Sequence, residues 1–256
     1  MKDSTTRAIG TPAKHAAIAT ILAAVAGFVD TAGFLTLSHV YTANMSGNTV
    51  QVGVEALGDT GGSPILHAYT VGMFLFGLFA SGIMIEIGLR RGFRRIFAAT
   101  MMLEAIGLGI VVAAGDRFLE AGAPRGWPLY PMIALFTIAM AAQNTSLRMA
   151  GVLTVYTTHV TGTITKFSED AVRYVFAQID RRRGNRQQAG LEEGRPAPPF
   201  SALLLSAGLC GGFVAGAVLA GYLVPPFGIV TLLIPIAVVA ALGIVDCVQP
   251  LASRAS

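Results

Sequence analysis

The feature that most constrains this chain is a series of apolar segments, each close to the length that crosses a bilayer. A transmembrane α-helix needs about 20 predominantly apolar residues, and here 54% of the residues are hydrophobic while 12% are charged. We therefore predict an all-α integral membrane protein with six transmembrane helices. The predicted spans are residues 15–37, 65–88, 96–114, 129–150, 201–223 and 227–247.

Two polar segments of similar sequence interrupt this apolar chain. Residues 40–49 read VYTANMSGNT, and residues 155–164 read VYTTHVTGTI. Backbone groups at a break within the membrane must be satisfied by protein or by water in a cavity, and broken helices at matching positions are typical of transporter binding sites. We predict that segments 40–57 and 155–171 are broken or re-entrant and return to the side from which they came.

The basic residues favour this arrangement. They cluster in the amino-terminal tail, in the turn at 90–95 and in the linker that follows the second broken segment, and basic loops stay in the cytoplasm. Six crossings place all three regions and both termini inside, whereas a full crossing by either broken segment would put an arginine cluster outside. The formal net charge of +4 therefore reflects membrane orientation, and we expect no nucleic-acid partner.

A second repeated motif covers further residues of each half. Residues 72–82 and 211–221 share the spacing G-x-F-x-x-G-x-x-x-x-G, and glycine lets two membrane helices approach closely. We predict helix packing at the six motif glycines, which are Gly72, Gly77, Gly82, Gly211, Gly216 and Gly221.

Both motifs indicate an internal duplication. We predict one membrane domain over residues 1–256, with a first repeat at 15–114 and a second at 129–247 that contains a cytoplasmic linker at 178–199. Each repeat holds three crossings, an odd number, so the second runs upside down relative to the first. Such a 3+3 inverted repeat is the architecture of many secondary transporters.

The broken segments supply the candidate solute site. Helices that start near Gly47 and Gly162, with Ser46 or Thr161 as the cap, would point free N–H groups at the interior and favour an anion or the negative end of a dipole. The alternative is that the turns only let the helices reverse and pack. The predicted substrate-binding residues are Asn44, Ser46, Gly47, Asn48, His159, Thr161, Gly162 and Thr163.

Ionisable residues inside the spans are the second group of candidates. Asp30 and Glu104 are predicted to tune the charge of the site or to carry a proton; alternatively, each is kept neutral by an apolar site or holds the broken segment by hydrogen bonds. Asp246 is expected to anchor its helix at the membrane interface. His67 is expected to be isolated near a span end, and His159 either titrates or is structural.

The remaining residues point to lipid contacts and to no recognised chemistry. Residues 166–183 are predicted to form an amphipathic helix on the inner leaflet, with Arg181, Arg182 and Arg183 near anionic lipid. Cys210 and Cys247 lie in separate spans and indicate neither a disulfide nor a metal site. Because phosphate-binding loops, zinc-binding helices and nucleophile elbows are missing from the sequence, we expect no enzyme activity and no cofactor.

A resemblance to a known family rests on Gly27-Phe28-Val29-Asp30, on Gly33-Phe34 and on the TANMSGNT of residues 42–49. Together these resemble the signature of the YoaK-like family of uncharacterised bacterial membrane proteins. Residues 157–163 are similar to the family's second motif, from which His159 departs. The resemblance implies a bacterial inner-membrane protein with about six spans, and it supplies no substrate.

Function must therefore be argued from the residues. We expect an inverted-repeat transporter or channel for a small polar or anionic solute, with its site near the midplane of the membrane. The main alternative is a nonconducting scaffold or regulator that acts through helix packing, homo-oligomer formation and lipid contacts. An enzyme that acts on a lipid is the third possibility.

Overall fold

The described part of the chain consists almost entirely of helices. The computed structural model describes residues 12–58, 62–93, 95–119, 126–149, 160–183 and 198–249, and this part of the chain contains no strand, which confirms the all-α prediction. A 3₁₀ helix, Gly228–Leu232, precedes the last helix. The α-helices are α1 (Pro12–Thr36), α2 (Met45–Leu57), α3 (Pro64–Arg90), α4 (Ile96–Leu119), α5 (Leu129–Met149), α6 (Val160–Arg182), α7 (Phe200–Phe227) and α8 (Leu233–Val248).

Four of the described segments are long and apolar enough to cross a membrane. They are Lys14–Thr36, Pro64–Arg90, Ile96–Gly115 and Phe200–Val248. The last is 49 residues long and contains both α7 and α8, which the sequence predicted as separate spans. The chain changes conformation between them at Pro225, Pro226 and Gly228, where Gly228 has a φ of +64°. This part of the fold identifies a membrane protein.

The predicted span at 129–150 differs from the others. It forms the helix α5, which does not reach the composition of the four apolar segments. Polar side chains such as Gln143, Asn144 and Ser146 lie on it and are buried in protein. Because these groups face neighbouring helices, α5 carries less apolar surface than a lipid-facing helix.

Helices α2 and α6 are unlike the apolar helices. At about 1.5 Å per residue, the 13 residues of α2 extend about 20 Å, less than the hydrocarbon thickness of about 30 Å. Helix α6 has 23 residues but buries Thr163, Asp170 and Ala177 and exposes Val175 and Phe176. The residues that α6 turns toward the protein are thus polar or small, while its outward side carries apolar side chains together with polar and charged ones such as Lys166.

The first half of the chain contains α1–α4 and the second half contains α5–α8. Long helices of one half pack against long helices of the other. Helix α1 packs along α7, and α3 packs along α5. Added Cβ atoms at Gly212 and Gly216 would meet the backbones of Thr20 and Ala24 respectively. Residue numbers thus increase in the same direction along both helices, so α1 and α7 are parallel.

Helices α3 and α5 also run in the same direction. The Tyr69 and Tyr130 rings lie edge to face with centroids 5.0 Å apart, and further along both helices Ser81 Oγ donates to Thr145 Oγ1 at 2.9 Å. The two same-direction pairs therefore join the first helix of each half to the third helix of the other half.

Helices α4 and α8 run in opposite directions. The N–H of Ala98, near the start of α4, donates to Asp246 Oδ2, near the end of α8, at 3.0 Å. One turn away, an added Cβ at Gly243 would lie 3.4 Å from the Met101 Cβ. Among the described helices, α2 packs on α3, α6 packs on α7, and α2 and α6 do not contact each other.

The predicted glycine packing is present at the central glycine of each motif. An added Cβ would lie 1.9 Å from the Ala24 carbonyl oxygen at Gly216, and 2.8 Å from the Ala141 Cβ at Gly77. The outer glycines differ, because their added Cβ atoms would meet open space or, at Gly82, a methyl group 3.9 Å away. Those with nothing within 4 Å are Gly72, Gly211 and Gly221.

Candidate functional site

The first broken segment lies between α1 and α2. Helix α1 ends at Thr36, and the next turn carries Ser38 and His39 with φ values of 54° and 63°, a left-handed conformation that is rare for residues with a Cβ. Val40 and Ala43 are nevertheless buried. The chain therefore makes a tight irregular turn whose left-handed residues, Ser38 and His39, are exposed and whose later residues pack inside the protein before α2 begins.

Asp30 holds this turn in place. Its Oδ1 accepts hydrogen bonds from the Ala43 N–H at 2.7 Å and from the Asn44 N–H at 3.3 Å, and the residue is 5% exposed. A carboxylate that accepts from backbone N–H groups before a helix is favourable because the helix N-terminus is electropositive. Of the alternatives left open by the sequence, these contacts match the holding role.

The cap of α2 is Asn44 and not Ser46, which corrects the predicted capping residue. Asn44 Oδ1 accepts from the Gly47 N–H at 3.4 Å and from Ser46 Oγ at 2.8 Å. An added Cβ at Gly47 would lie 2.9 Å from the Tyr41 ring. These three predicted site residues thus form one compact turn, with Ser46 exposed.

The prediction that His67 is isolated is wrong. His67 Nδ1 lies 3.1 Å from Asn48 Oδ1, and its Nε2 lies 3.3 Å from Glu55 Oε1. Asn48 is in turn bound to the backbone of Tyr41, since its Nδ2 donates to the Tyr41 carbonyl at 2.6 Å and its Oδ1 accepts from the Tyr41 N–H at 3.1 Å. We call Asn48, Glu55 and His67 the α2–α3 cluster.

The α2–α3 cluster is shielded from solvent. Asn48 is fully buried, and the His67 and Glu55 side chains are 4% and 12% exposed. The second carboxylate oxygen, Glu55 Oε2, is buried without a hydrogen-bond partner among the described residues. A hydrogen-bonded chain therefore leads from the first broken segment, through α2, to α3.

The other half buries polar groups at corresponding positions. Aligning the two broken segments puts Asn48 opposite Thr163 and Glu55 opposite Asp170, and aligning the glycine motifs puts His67 opposite Ser206. The three counterparts are 4%, 5% and 3% exposed. Here Lys166 Nζ lies 2.8 Å from Asp170 Oδ2, and the Lys166 side chain is 54% exposed.

Two further polar residues lie deep between the helices. Glu104 on α4 is fully buried, and neither of its carboxyl oxygens has a hydrogen-bond partner among the described residues. Gln143 on α5 is also fully buried; its Nε2 donates to the Leu22 carbonyl of α1 at 2.8 Å, while its Oε1 has no such partner. Burying polar groups without partners is costly, so each is a candidate for interaction with a solute or proton.

Asp246, predicted to anchor its helix at the membrane interface, instead packs inward between α8 and α4. It is 1% exposed, and its carboxylate accepts the Ala98 N–H at the start of α4. Packing of α8 against α4 puts this carboxylate at an electropositive helix end, which explains its burial. Glu86 is half exposed and forms an ion pair with Arg90, at 2.7 Å between Oε1 and Nε.

The second set of predicted site residues is only partly described. His159 lies outside the described residues, as do 184–197 of the predicted linker. Thr161 and Gly162 are exposed in the first turn of α6, whereas Thr163 faces inward. Arg181, Arg182 and Arg183 are exposed at its end. No three His, Cys, Asp or Glu side chains in the described ranges are grouped to hold a metal ion.

Glu55 was missing from the sequence-based candidates, although one signal could have found it. The alignment of the broken segments pairs Glu55 with Asp170. A carboxylate at the same position in both copies indicates a candidate site residue. The pairing of His67 with Glu55 needs the helical phase of α2 relative to α3, which the sequence alone does not give.

Comparisons with known proteins are consistent with this fold. A family model described as "Protein of unknown function (DUF1275)" matches residues 18–245. A curated relative, the UPF0700 transmembrane protein YoaK of Bacillus subtilis (strain 168), is 30% identical over 151 residues, which are 59% of this chain and 64% of the relative. The match thus covers less than two thirds of that relative's length. No solved structure matches the chain.

Proposed function

From the premise that the chain belongs to the DUF1275 family of YoaK-like membrane proteins, we propose that it is an inverted-repeat transporter or channel for a small polar solute. The observation that carries this proposal is the reciprocal packing of the two halves, α1 on α7 and α3 on α5. In transporters built from inverted repeats, such an interface between halves surrounds the binding site near the midplane.

The directions of the helices support six crossings. Helices α4 and α8 run in opposite directions, which requires an odd number of reversals between them. Reversals at α5, α7 and α8 give three, whereas a further crossing by α6 would give four. Helix α6 then stays on one side, in agreement with its polar composition.

The same count supports a noncrossing α2. Helices α1 and α7 run in the same direction, so an even number of reversals separates them. Reversals at α3, α4, α5 and α7 give four, and a crossing by α2 alone would make the number odd. With three crossings in each half, α1–α4 and α5–α8 are inverted relative to each other.

Buried polar groups favour a solute path near the centre. Glu104 and the Gln143 Oε1 have no hydrogen-bond partner among the described residues, and the break at 37–44 brings irregular backbone into the interior. The Asp30 carboxylate already contacts the N–H groups that precede α2. A second negative charge there would be repelled, so a neutral polar solute fits the first break better than an anion.

In this proposal the two broken segments share one site. Asn44, Ser46, Gly47 and Asn48 would contribute from the first segment, and His159, Thr161, Gly162 and Thr163 from the second. Asp30 would hold the first segment, while Glu104 would be the interior group that tunes charge or carries a proton. The sharing of one site stays a prediction, because α2 and α6 do not contact each other.

The setting of the protein follows from the same proposal. The chain would lie in the inner membrane of a bacterium, with both termini in the cytoplasm and the exposed Arg181, Arg182 and Arg183 near anionic lipid. A homo-oligomer is compatible with the open, small-residue surfaces at Gly72 and Gly221.

A nonconducting scaffold is the second candidate, and one observation favours it. Polar side chains satisfy the backbone of the first break: Asp30 accepts from the Ala43 and Asn44 N–H groups, and Asn48 is hydrogen-bonded to the Tyr41 backbone. A turn that only reverses the chain needs its backbone polar groups satisfied in this way. The two candidates differ in whether the protein conducts a solute.

The test is solute flux across vesicles that contain the purified protein. Rapid changes in vesicle volume after osmotic shock report any permeant solute without a label, and a panel of small neutral and anionic polar solutes covers both classes. We expect at least one neutral solute to enter faster than in protein-free vesicles. Rates equal to those of protein-free vesicles across the panel would favour the scaffold.

Gly47→Val supplies the matched variant. Its added atoms would push the Tyr41 ring and distort the turn at the start of α2, so flux should fall at least tenfold. Gly53→Val is the control, because Gly53 lies on the same helix with nothing within 4 Å of an added Cβ. Equal flux in the two variants would contradict a site at the first break.

A further inference from the structure

The α2–α3 cluster contains an ionisable pair that the proposed solute site does not use. His67 and Glu55 face each other in a largely buried contact, with 3.3 Å between Nε2 and Oε1. This contact joins α2 to α3, the helix on which α2 packs.

The orientation of the Asn48 amide is set by the backbone of Tyr41. Its Nδ2 donates to the Tyr41 carbonyl at 2.6 Å, and its Oδ1 accepts from the Tyr41 N–H at 3.1 Å. Rotating the amide by half a turn would face donor to donor and acceptor to acceptor. The atom 3.1 Å from His67 Nδ1 is therefore an oxygen that only accepts.

This assignment determines the tautomer of His67. Because Asn48 Oδ1 cannot donate, Nδ1 must carry the proton of that hydrogen bond. In a neutral imidazole the other nitrogen, Nε2, then has a lone pair, and it points at Glu55 Oε1. Two lone pairs at this distance repel unless one proton lies between them.

We propose that Glu55 and His67 together bind one proton, and that this is the coupling proton of the transporter proposed above. Loading the pair gives either imidazolium with carboxylate or imidazole with carboxylic acid, and both forms have the same net charge. Releasing the proton leaves a carboxylate facing a lone pair and removes one of the two hydrogen bonds that join α2 to α3 in the cluster, while the bond from His67 Nδ1 to Asn48 Oδ1 stays. The inference thus rests on the proposed function and adds the coupling ion.

Glu55 Oε2 provides an independent observation for the same site. It is buried and has no hydrogen-bond partner among the described residues. An unpartnered oxygen costs less on a neutral carboxylic acid than on a carboxylate. The environment therefore accommodates a proton on the pair.

Other charged groups around α2 and α3 do not replace this proton. On α3, Tyr69 donates to the Tyr130 carbonyl of α5, and Glu86 pairs with Arg90 on the exposed part of the helix. From the broken segment, Asp30 is bound to backbone N–H groups. From α4, Glu104 makes no hydrogen bond to any described residue.

The corresponding position in the other half has a different counter-ion. Asp170 contacts the ammonium of Lys166 at 2.8 Å. The Lys166 ammonium has its own N–H donors, so its contact with Asp170 does not depend on a proton held between the two residues. It can persist after the Glu55–His67 pair has lost its proton. Of the two corresponding positions, the shared proton therefore lies at the one on α2 and α3.

Nitrogen NMR on full-length protein in lipid nanodiscs, with labelled histidine, tests the proton directly. A His67→Gln variant assigns the signal. As the pH is raised, we expect Nδ1 to stay protonated while Nε2 loses its proton. A His67 that is protonated on Nε2 and bare on Nδ1 would overturn the proposal.

Glu55→Gln is the matched variant, with Glu86→Gln as the control. A glutamine amide donates to the Nε2 lone pair, so we expect the variant to lose the protonated Nε2 signal while it keeps Nδ1–H and the α2–α3 contact. Glu86→Gln makes the same chemical change outside the cluster and should leave the His67 signals unchanged. If His67 Nε2 gained and lost its proton in Glu55→Gln as it does in the wild type, the shared proton would be refuted.

Hydrogen exchange of residues 45–57 tests the link to α2. After correction for intrinsic exchange, protection should fall in the wild type as His67 loses its proton and should stay constant in Glu55→Gln. Constant protection in the wild type would refute the conformational link.

Flux measurements separate this inference from the proposed function. If wild-type flux depends on pH and Glu55→Gln removes that dependence, coupling is supported; equal pH profiles would refute coupling. If the wild type conducts no solute of the panel, the proposed function and the coupling role fail, whereas the NMR result still decides whether the pair binds a proton.

Discussion

The helix pairs α2–α3 and α6–α7 bury polar groups at corresponding positions but balance them differently. In the first pair, Glu55 is matched by His67, and both are largely shielded from solvent. In the second pair, Asp170 is matched by Lys166, which is half exposed and permanently charged at neutral pH. The same backbone plan thus supports a titratable contact in one half and a permanent ion pair in the other.

This difference shows how a duplicated fold can become specialised. A permanent ion pair at a solvated edge adds little stability, because water screens it. A buried pair with a shared proton is sensitive to the loss of either partner, since the remaining group has no access to water. Matched substitutions at the central glycines and at the two carboxylates test how far the two halves have diverged.

The largest effect is expected at the central glycines that join the halves. Gly216→Ala should cost about 3 kcal/mol or more, because its Cβ would meet the backbone oxygen of Ala24 at 1.9 Å. Gly77→Ala should cost less, about 2 kcal/mol, because its Cβ would lie 2.8 Å from the Ala141 Cβ and 3.0 Å from the Ile138 Cα. Reversible unfolding in detergent by a spectroscopic probe measures both free energies.

Gly211→Ala controls for helix propensity on the same helix as Gly216. An added Cβ meets nothing within 4 Å there, so the change should be neutral or stabilising by up to about 1 kcal/mol. If Gly216→Ala destabilised the protein as little as this control, the result would contradict the close backbone contact between α1 and α7.

The second effect compares the two carboxylates. Glu55→Ala should destabilise by about 2 to 3 kcal/mol, because it leaves the buried His67 Nε2 without its partner. Asp170→Ala should cost no more than about 1 kcal/mol, because Lys166 can turn to water. The same unfolding assay applies, and a larger loss for Asp170→Ala would reverse the proposed specialisation.

The smallest effect concerns the left-handed turn after α1. Ser38→Gly should stabilise by about 1 kcal/mol, because glycine adopts the φ of 54° without the Cβ penalty. His39→Gly relieves a similar penalty but loses the edge-to-face contact with Phe34, at 5.0 Å between ring centroids, so its gain should be smaller. Thermal unfolding of the two variants side by side measures this order.

The sequence predicted the features that depend on local composition. Apolar length marked the long helices, and the polar residues from Tyr41 to Asn48 marked the break before α2. Glycine spacing also pointed to Gly77 and Gly216, whose close contacts the fold contains. These signals need no knowledge of which helices become neighbours.

The features that escaped prediction depend on pairing between distant residues. Asp246 is buried because α8 lies against the start of α4. The residues near Asp246 in the sequence do not indicate that α4 is its neighbour. His67 meets Glu55 only because α2 folds back on α3 with one particular helical phase. Open space at Gly72 and Gly211 likewise follows from where partner helices pass.

The close approach of the α1 and α7 backbones at Gly212 and Gly216 limits how the molecule can rearrange. Backbones in such close contact at Gly216 slide poorly past one another, and the Gly77 contact joins α3 to α5 in the same manner. Any alternating motion that preserves these contacts carries α1 with α7 and α3 with α5. The rigid bodies would then be assembled across the duplication, each from helices of both halves.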